Sequence, residues 1–220
     1  MRAFNPSDLP QLGKELLTII KKENRKTVFG DQLDSPRSVG DAVESYMKDC
    51  GLRNILWQNF QIKLDDSFGR RAMADMAFED SNGNKYYVDV KTHNLATDFN
   101  MPNLTSVKRI NDFYESDKNH FCILIVSYYF SEKKQCFDDS RIDCKFNLIE
   151  SFDWECLHLG ALGWGQIQIA NANNISFYKN ISREKWMNTL CVKVCSFYDN
   201  EIEKIKDRKK LFIGSQAKWV

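Results

Sequence analysis

Two short extended segments joined by an Asn-Gly turn constrain this chain more than any other feature of its sequence. Ala72–Glu79 and Lys85–Thr92 are rich in apolar, aromatic and β-branched residues, and residues 80–84 between them read Asp-Ser-Asn-Gly-Asn. Asn-Gly between two such segments is the strongest short-range signal for a β-hairpin. The sequence therefore predicts an antiparallel pair of strands here.

Helical and strand patterns on both sides of the hairpin predict one mixed α/β domain. Apolar side chains at helical spacing indicate helices at Leu9–Glu23 and Ser35–Cys50, with Gly51 placed to end the second. The other predicted elements are a strand at Ile55–Leu64, a helix at Thr105–Tyr114, a central strand at Phe121–Phe130, strands near Lys145–Ile149, Gly165–Ala170 and Val192–Phe197, and a charged helix near Asn200–Lys210. Helices that precede and follow a hairpin-containing sheet give a single domain over residues 1–220, with a mixed central β-sheet flanked by helices.

Composition excludes several classes of protein. The 31 Lys and Arg residues against 30 Asp and Glu leave a net charge of +1, which rules out a uniformly basic coat but not a basic face. No apolar stretch approaches the roughly 18 residues that span a bilayer, and the N-terminus lacks the apolar core of a signal peptide. Seven scattered cysteines fit reduced thiols, with Cys191 and Cys195 expected in the core. We expect a soluble, cytoplasmic protein with no membrane partner.

Three charged residues of the hairpin are brought together by the period of a β-strand. Asp75 lies on the first segment, while Asp89 and Lys91 lie on one face of the second. Because the turn folds the two segments against each other, Asp75 is expected beside Asp89. Two carboxylates and one ammonium group then meet at the margin of the sheet.

This set of groups suits metal-dependent cleavage of a phosphodiester. Two carboxylates bind Mg²⁺ through oxygen, and the backbone carbonyl of Val90 is a further candidate ligand. The ion polarises the phosphodiester and lowers the pKa of a bound water. Lys91 would orient that water and stabilise the charge that develops on phosphorus.

The alternative is an ordinary surface pair between Asp89 and Lys91. An Asp-x-Lys tripeptide alone is a weak signal, because composition gives about one chance match in a chain of this size. The surrounding run of Tyr86, Tyr87, Val88 and Val90 favours a covered strand. Burying charges in such a strand is costly unless they form a pair or serve a site.

Asp75, a gap of 13 residues and Asp89-Val90-Lys91 resemble the D…(D/E)-x-K signature of the PD-(D/E)XK nuclease superfamily, in particular of its type II restriction endonucleases. The residue before Asp75 is Ala74, where the family's pattern has proline. The stretch that follows, from Thr92 to Ser106, also resembles the loop after the catalytic lysine in blunt-cutting members. The family often adds an acidic residue from a helix ahead of the hairpin. Glu44 is the matching candidate here, and an ordinary solvated glutamate is its alternative.

The resemblance implies a restriction-endonuclease-like fold and a role for each residue of the signature. Asp75 and Asp89 would be ligands of a Mg²⁺ cofactor, and Lys91 would be the catalytic lysine. The enzyme would be a homodimer, since a two-fold protein matches a palindromic site. It would hydrolyse double-stranded DNA to leave 5′-phosphates and 3′-hydroxyls.

Three polar clusters are candidates for contacting DNA, because amides and guanidinium groups read base edges while Lys, Arg, Ser and Thr bind phosphates. The first cluster contains Thr92, His93, Asn94, Asn100, Asn103, Thr105, Ser106, Lys108 and Arg109. The second cluster contains Gln166, Gln168, Asn171, Asn173 and Asn174. Amides pair well with adenine, which favours an A·T-containing site; a polar strand edge followed by an Asn-rich turn is the alternative. The third, Lys204–Lys210, is predicted to be a solvated basic helix or an arm that contacts phosphates.

Two other functions stay open on the sequence alone. One is a structure-selective repair or junction nuclease with the same catalytic core. The other is a non-catalytic DNA-binding or partner-binding domain in which the carboxylates form ordinary ion pairs. Cleavage of duplex plasmid separates the first from a restriction enzyme, and metal titration separates the second.

Overall fold

A computed structural model describes residues 3–23, 36–67, 72–97, 102–131, 136–160, 165–216 and 218–219. The α-helices in these ranges are α1 (Leu9–Lys22), α2 (Pro36–Asp49), α3 (Gly51–Phe60), α4 (Val107–Phe113) and α5 (Arg183–Gln216). The strands are β1 (Leu64–Asp65), β2 (Met76–Glu79), β3 (Lys85–Asn94), β4 (Asn103–Ser106), β5 (Asn119–Tyr128), β6 (Phe130–Ser131), β7 (Cys136–Phe137), β8 (Asp143–Leu148), β9 (Leu157–Gly160) and β10 (Gln166–Ile169).

The central sheet has five strands in the order β1-β2-β3-β5-β8. β3 and β5 run parallel, and the other neighbouring strands run antiparallel. The predicted mixed α/β architecture is therefore confirmed, as is the β2–β3 hairpin. Its turn is closed by the Asp80 carboxylate, which accepts hydrogen bonds from the backbone N–H groups of Asn82 and Asn84, and Gly83 takes the left-handed conformation there with φ +75°.

Both faces of the central sheet are covered. Alternate residues of β5 point to opposite sides, so Cys122 and Leu124 join one apolar cluster and Phe121 and Ile123 join the other. Helices α1, α2 and α3 cover the first side. The second side is covered by α4, the start of α5 and a smaller antiparallel sheet of order β4-β10-β9. β5 is buried along most of its length, as the apolar sequence of Phe121–Phe130 predicts for an interior strand.

The smaller sheet has one apolar face and one polar face. Ile167 and Ile169 of β10 are fully buried in the second cluster. Gln166 and Gln168 alternate with them and lie on the other face, as their spacing predicts. Strands β4 and β9 have no counterpart among the sequence predictions, because their short polar segments carry little strand signal.

The strand predicted at Ile55–Leu64 is wrong. Residues 51–60 form α3, and only Leu64 and Asp65 pair as a strand. The buried side chains of α3 are Leu52, Ile55, Leu56 and Phe60, whose spacing is that of a helix face rather than a strand face. Gly51 does lie at the predicted C′ position, one residue after the break at Cys50, where φ is −132° and ψ is −57°, but it also begins α3.

The strand predicted at Val192–Phe197 is wrong as well. This segment is the middle of α5, a continuous helix of 34 residues that includes the predicted charged helix near Asn200–Lys210. Val192 and Val194 favour a strand only weakly. The helix continues through them because its first turns are fixed by the buried Trp186 and Leu190. Cys191 and Cys195 are exposed on this helix, so their expected place in the core is wrong.

Smaller differences concern the ends of elements. α4 begins at Val107, two residues later than predicted, because Thr105 and Ser106 belong to β4 and the Ser106 side chain caps the helix. Within the described residues, no helix combines the length and the apolar character needed to cross a membrane.

Candidate active site

Asp75 lies directly opposite Asp89, one residue before β2 begins. The β2–β3 register pairs Met76 with Val88, and continuing it by one residue pairs Asp75 with Asp89. The backbone N–H of Asp75 donates to the carbonyl of Val88 at 2.9 Å. The Val90 N–H then donates to Asp75 Oδ2 at 2.7 Å, so a carboxylate takes the place of the next backbone acceptor. This hydrogen bond holds the Asp75 carboxylate against β3, beside the residue that follows Asp89.

Asp89 and Lys91 share a face of β3, as the period of a strand predicts. Lys91 Nζ donates a hydrogen bond to Asp89 Oδ1 at 2.8 Å. It also lies 2.8 Å from Oδ2, but without hydrogen-bond alignment, and Oδ2 is buried and accepts no hydrogen bond from the described residues. The Asp89 side chain is 9% exposed and that of Lys91 is 26% exposed. The Lys91 ammonium group therefore contacts both oxygens of a buried carboxylate, and only Oδ1 accepts an aligned hydrogen bond from it.

The surroundings of Asp89 disfavour the ionised form of its carboxyl group. In the β3–β5 register Asp89 faces Ile123, which is fully buried. Burial raises the pKa of Asp89 to about 7, an effect that Lys91 opposes and that the nearby carboxylates of Asp75 and Glu44 reinforce. Burial also raises the pKa of Asp75, against the hydrogen bond from the Val90 N–H. Two carboxylates that resist ionisation in each other's presence form a site that a cation would stabilise.

Helix α2 brings further charge to the same place. It packs across β3 so closely that a Cβ added at Gly40 would lie 3.2 Å from Thr92 Oγ1. The charge of Glu44 raises the pKa of both Asp75 and Asp89. Its carboxylate is 35% exposed and pairs with Lys48 at 2.6 Å. Glu44 is therefore partly exposed and held by Lys48, and it acts on the two aspartates through its charge.

Lys48 was not among the predicted site residues, although its charge lowers the pKa of Asp75. The sequence does contain a signal for it, because Lys48 lies four residues after Glu44 and therefore on the same helix face. Two lysines and three carboxylates thus act on one another near the start of β2, namely Lys48, Lys91, Glu44, Asp75 and Asp89.

The residues present fit a Mg²⁺ ion. Among the described residues, no three His, Cys, Asp or Glu side chains are already arranged as a metal cage. Mg²⁺ does not need one, because it is usually held by one or two carboxylates and completes its octahedron with water and substrate phosphate. The carboxylates of Asp75 and Asp89 offer two hard oxygen ligands of this kind.

The first predicted DNA cluster divides into exposed and buried members. Lys108 and Arg109 are exposed on α4, and Asn103 is exposed on β4. Thr92 and Ser106 are half-buried, the latter as the helix cap, and Asn94 closes a turn by accepting from the Ala96 N–H. His93 and Thr105 are 1% and 3% exposed, so their side chains are not on the surface. Asn100 lies outside the described residues.

The second predicted cluster contacts the first at two points. Gln168 Nε2 donates to Asn103 Oδ1, and the Gln168 side chain, 8% exposed, lies over Gly160, where no Cβ would fit. His93 Nε2 lies 2.9 Å from Asn173 Oδ1. The latter bond ties the turn at Asn171–Asn174, whose three asparagine side chains are exposed, to the strand that carries Asp89 and Lys91. Gln166, half-buried, lies on the same sheet face as Gln168.

A scan against models of known protein families finds no match to this chain. A search of characterised proteins likewise finds no relative of significant similarity.

Proposed function

We propose that this chain is a Mg²⁺-dependent, sequence-specific type II restriction endonuclease with a restriction-endonuclease-like fold. The observation that carries the proposal is the apposition of Asp75 and Asp89 across β2 and β3, with Lys91 on the same face as Asp89. The order of elements supports it, since helices precede a hairpin whose second strand pairs in parallel with the buried β5.

The proposed metal ligands are Asp75, Asp89 and the carbonyl of Val90. Bound Mg²⁺ would supply polarisation of the scissile phosphodiester and an acidified water. Asp75 is already oriented by the Val90 N–H, so its carboxylate is held in place before a cation binds. Asp89 would contribute Oδ2, which accepts no hydrogen bond in the described part of the chain and would exchange its contact with Lys91 for one with the ion.

Lys91 is the proposed catalytic lysine. Its ammonium group is held next to the carboxylate that would bind the metal, and it is still 26% exposed. From there it can orient the attacking water and stabilise the negative charge that grows on the phosphoryl oxygens. A compact ammonium group suits this task, because it must meet both a nucleophile and a phosphate.

The proposed DNA contacts extend from this site in two directions. Lys108 and Arg109 are exposed cations on α4 that can bind phosphates. The exposed amides of Asn103, Asn171 and Asn174 are the proposed readers of base edges, with adenine as the partner that amides fit best. The buried His93 and Gln168 would position Asn173 and Asn103 through their hydrogen bonds.

The proposed substrate is a palindromic, A·T-containing duplex that a homodimer cuts on both strands. The test is a digest of a fully sequenced plasmid by the purified chain, with and without Mg²⁺, followed by mapping of the fragment ends. Discrete fragments with 5′-phosphates that form only with a divalent metal are the expected result.

Two outcomes of that digest would overturn the proposal. Cutting restricted to added junctions or flaps would show a structure-selective nuclease. No cleavage over a range of salt and divalent metals, with Asp75→Asn and Asp89→Asn changing neither metal binding nor thermal stability in Mg²⁺, would show a non-catalytic domain.

A further inference from the structure

The second half of α5 leaves large apolar side chains in solvent. Eight large apolar side chains are exposed in the described parts of the chain; six of them lie in α5, and Trp219 follows it. The buried residues of the helix, Trp186 and Leu190, lie near its start. From Ile202 onward nearly every residue is exposed. A helical segment of this length without tertiary support is marginal in water, so a surface that covers it is expected.

Residues on one side of α5 follow a coiled-coil repeat. Spacings of four and three alternate over three and a half heptads, which is the pattern of the a and d positions. The stripe that they form, here called the α5 stripe, consists of Cys191, Cys195, Tyr198, Ile202, Ile205, Lys209, Phe212 and Gln216. All of them are exposed except Tyr198, which is half-buried because part of its side chain packs against the second apolar cluster. The pattern indicates a helix built to pack against another helix.

The charges beside the α5 stripe change sign along the helix. Residues 199–203 carry three carboxylates, and residues 204–210 carry five basic groups and one carboxylate. Lys204 pairs with the partly buried Glu201 at 2.6 Å, and Lys206 pairs with the exposed Glu203 at 2.7 Å. Both pairs link neighbouring turns, and an exposed pair such as the second contributes little. A helix that is acidic first and basic afterwards is complementary to a copy of itself that runs in the opposite direction.

We propose that the α5 stripe is a homodimer interface in which two copies of this chain pair their α5 helices antiparallel about a two-fold axis. The axis passes between Glu203 and Lys204. The inference rests on α5 alone, so it stands independently of the proposed cleavage of DNA, although a two-fold dimer also suits a palindromic site.

In this register, residues of the α5 stripe face each other across the interface in successive layers. Each Ile202 faces Ile205 of the other copy, each Tyr198 faces Lys209, and each Cys195 faces Phe212. Two further pairs of residues flank these layers. Glu201 meets Arg208 and Asp199 meets Lys206, and each of these opposite-charge pairs occurs twice by symmetry.

The same register also covers apolar residues outside the stripe. Val192 and Ile213, which are 64% and 59% exposed, become neighbours across the interface. A parallel pairing of the two α5 helices would be less complementary. It sets Lys209 against Lys209 of the other copy in one layer, and it places Arg208 beside Ile213. Like charges in a core layer are strongly unfavourable, so the antiparallel pairing is the one that the sequence of α5 favours.

The first test is the mass of the full chain in solution without DNA, measured by sedimentation equilibrium. The wild-type chain is expected at about twice 25.7 kDa. Ile205→Glu places two charges in the central layers and should raise the dimer dissociation constant at least about a hundredfold. Leu211→Glu is the matched control, because Leu211 is 66% exposed on the same helix but lies outside the stripe, and it should leave the dimer intact.

The second test distinguishes antiparallel from parallel pairing. Glu201→Arg and Arg208→Glu each create a like-charge pair in the antiparallel register and should each weaken the dimer about tenfold, whereas the double variant restores the pair and the affinity. Circular dichroism checks that each variant keeps its helix. A parallel dimer would lose affinity with Glu201→Arg, ignore Arg208→Glu and fail to recover in the double variant.

Several results would overturn the interface. These are a wild-type chain that stays monomeric at tens of micromolar, a chain that associates only on DNA or on a lipid surface, or an Ile205→Glu variant that remains a dimer. A dimer that forms as proposed in a chain that cuts no DNA would leave this interface standing and contradict only the nuclease proposal.

Discussion

The chain carries the same Asp-x-Lys spacing on two strands of one sheet, and the two segments differ in their surroundings. Asp89 and Lys91 on β3 form an ion pair, and so do Asp143 and Lys145 on β8. The Asp89 side chain is 9% exposed, whereas that of Asp143 is 48% exposed. β3 is an interior strand of the central sheet, and β8 lies at its edge. A tripeptide alone thus defines no site, and burial beside further carboxylates is what marks the first segment.

The largest expected effect is on the rate of DNA cleavage, which should depend on Lys91 but not on Lys145. Lys91→Ala should lower the rate of DNA cleavage by about a hundred- to a thousandfold or more, because it removes the group proposed to stabilise charge in the transition state. Binding to the same DNA in Ca²⁺ should be largely unchanged. Lys145→Ala is the matched control and should cleave like the wild-type protein. The measurement is single-turnover cleavage together with a gel-shift titration; equal loss of cutting and binding in Lys91→Ala would make Lys91 structural.

The next largest effect is on the pH dependence of stability in the absence of metal. Because the pKa of Asp89 rises from 3.8 to about 7 on folding, the folded state binds more protons than the unfolded state in this window. Stability from this group is therefore lost as the pH rises from about 4 to about 7. Asp89→Asn should remove the loss and be more stable than the wild-type protein at pH 8, by on the order of 2–4 kcal/mol.

Urea unfolding of both proteins at pH 4 and pH 8 measures this difference. Asp143→Asn, at an exposed position, is the control and should stay within about 0.5 kcal/mol of the wild-type protein at both pH values. An Asp89→Asn variant that is less stable than the wild-type protein at pH 8 would contradict the assignment of a costly buried charge.

The sequence predicts the centre of the site better than its surroundings. The apposition of Asp75 and Asp89 follows from an Asn-Gly turn and the two-residue period of a strand, both of which are local. The contacts of Gln168 with Asn103 and of His93 with Asn173 join residues 65 and 80 positions apart, and no local pattern specifies them. Lys48 is intermediate, since its spacing from Glu44 is local but its approach to Asp75 depends on how α2 packs.

The errors in the fold have a similar origin. The segment from Ile55 to Leu64 contains apolar residues that suit a strand or a helix, and tertiary burial of Leu52 and Phe60 decides for the helix. Val192 and Val194 suggest a strand locally, but a helix anchored by Trp186 continues through them. The β4 and β9 strands are short and polar on one face, so they form because β10 pairs with them rather than because of their own propensity.

A smaller effect concerns stabilisation by Mg²⁺. At ten times its dissociation constant, Mg²⁺ should stabilise the wild-type protein by about 1.4 kcal/mol, which is roughly 3–6 °C in Tm for a chain of this size. Asp75→Asn and Asp89→Asn should lose this shift, whereas Asp143→Asn should keep it. Differential scanning fluorimetry with Mg²⁺ or Ca²⁺ measures it. A shift that survives in both β-hairpin variants would place the metal elsewhere.

The smallest expected effect belongs to Glu44. Its charge lies near both aspartates, so Glu44→Gln should weaken Mg²⁺ binding by up to about fivefold through the loss of one partly screened attraction. Asp41→Asn, at an exposed position on the same helix, is the control and should bind Mg²⁺ normally. Isothermal titration of the two variants gives the ratio; a complete loss of binding in Glu44→Gln would instead make Glu44 a ligand.

The central claim, that the two aspartates of the hairpin hold a divalent cation, is tested most directly by a crystal soaked in Mn²⁺. Anomalous scattering from Mn²⁺ locates the ion without assumptions about activity. The expected result is one peak at about 2.1–2.2 Å from an oxygen of Asp75 and an oxygen of Asp89, with Lys91 Nζ displaced from Oδ2. A peak at Asp143, or none between Asp75 and Asp89 at saturating Mn²⁺, would contradict the claim.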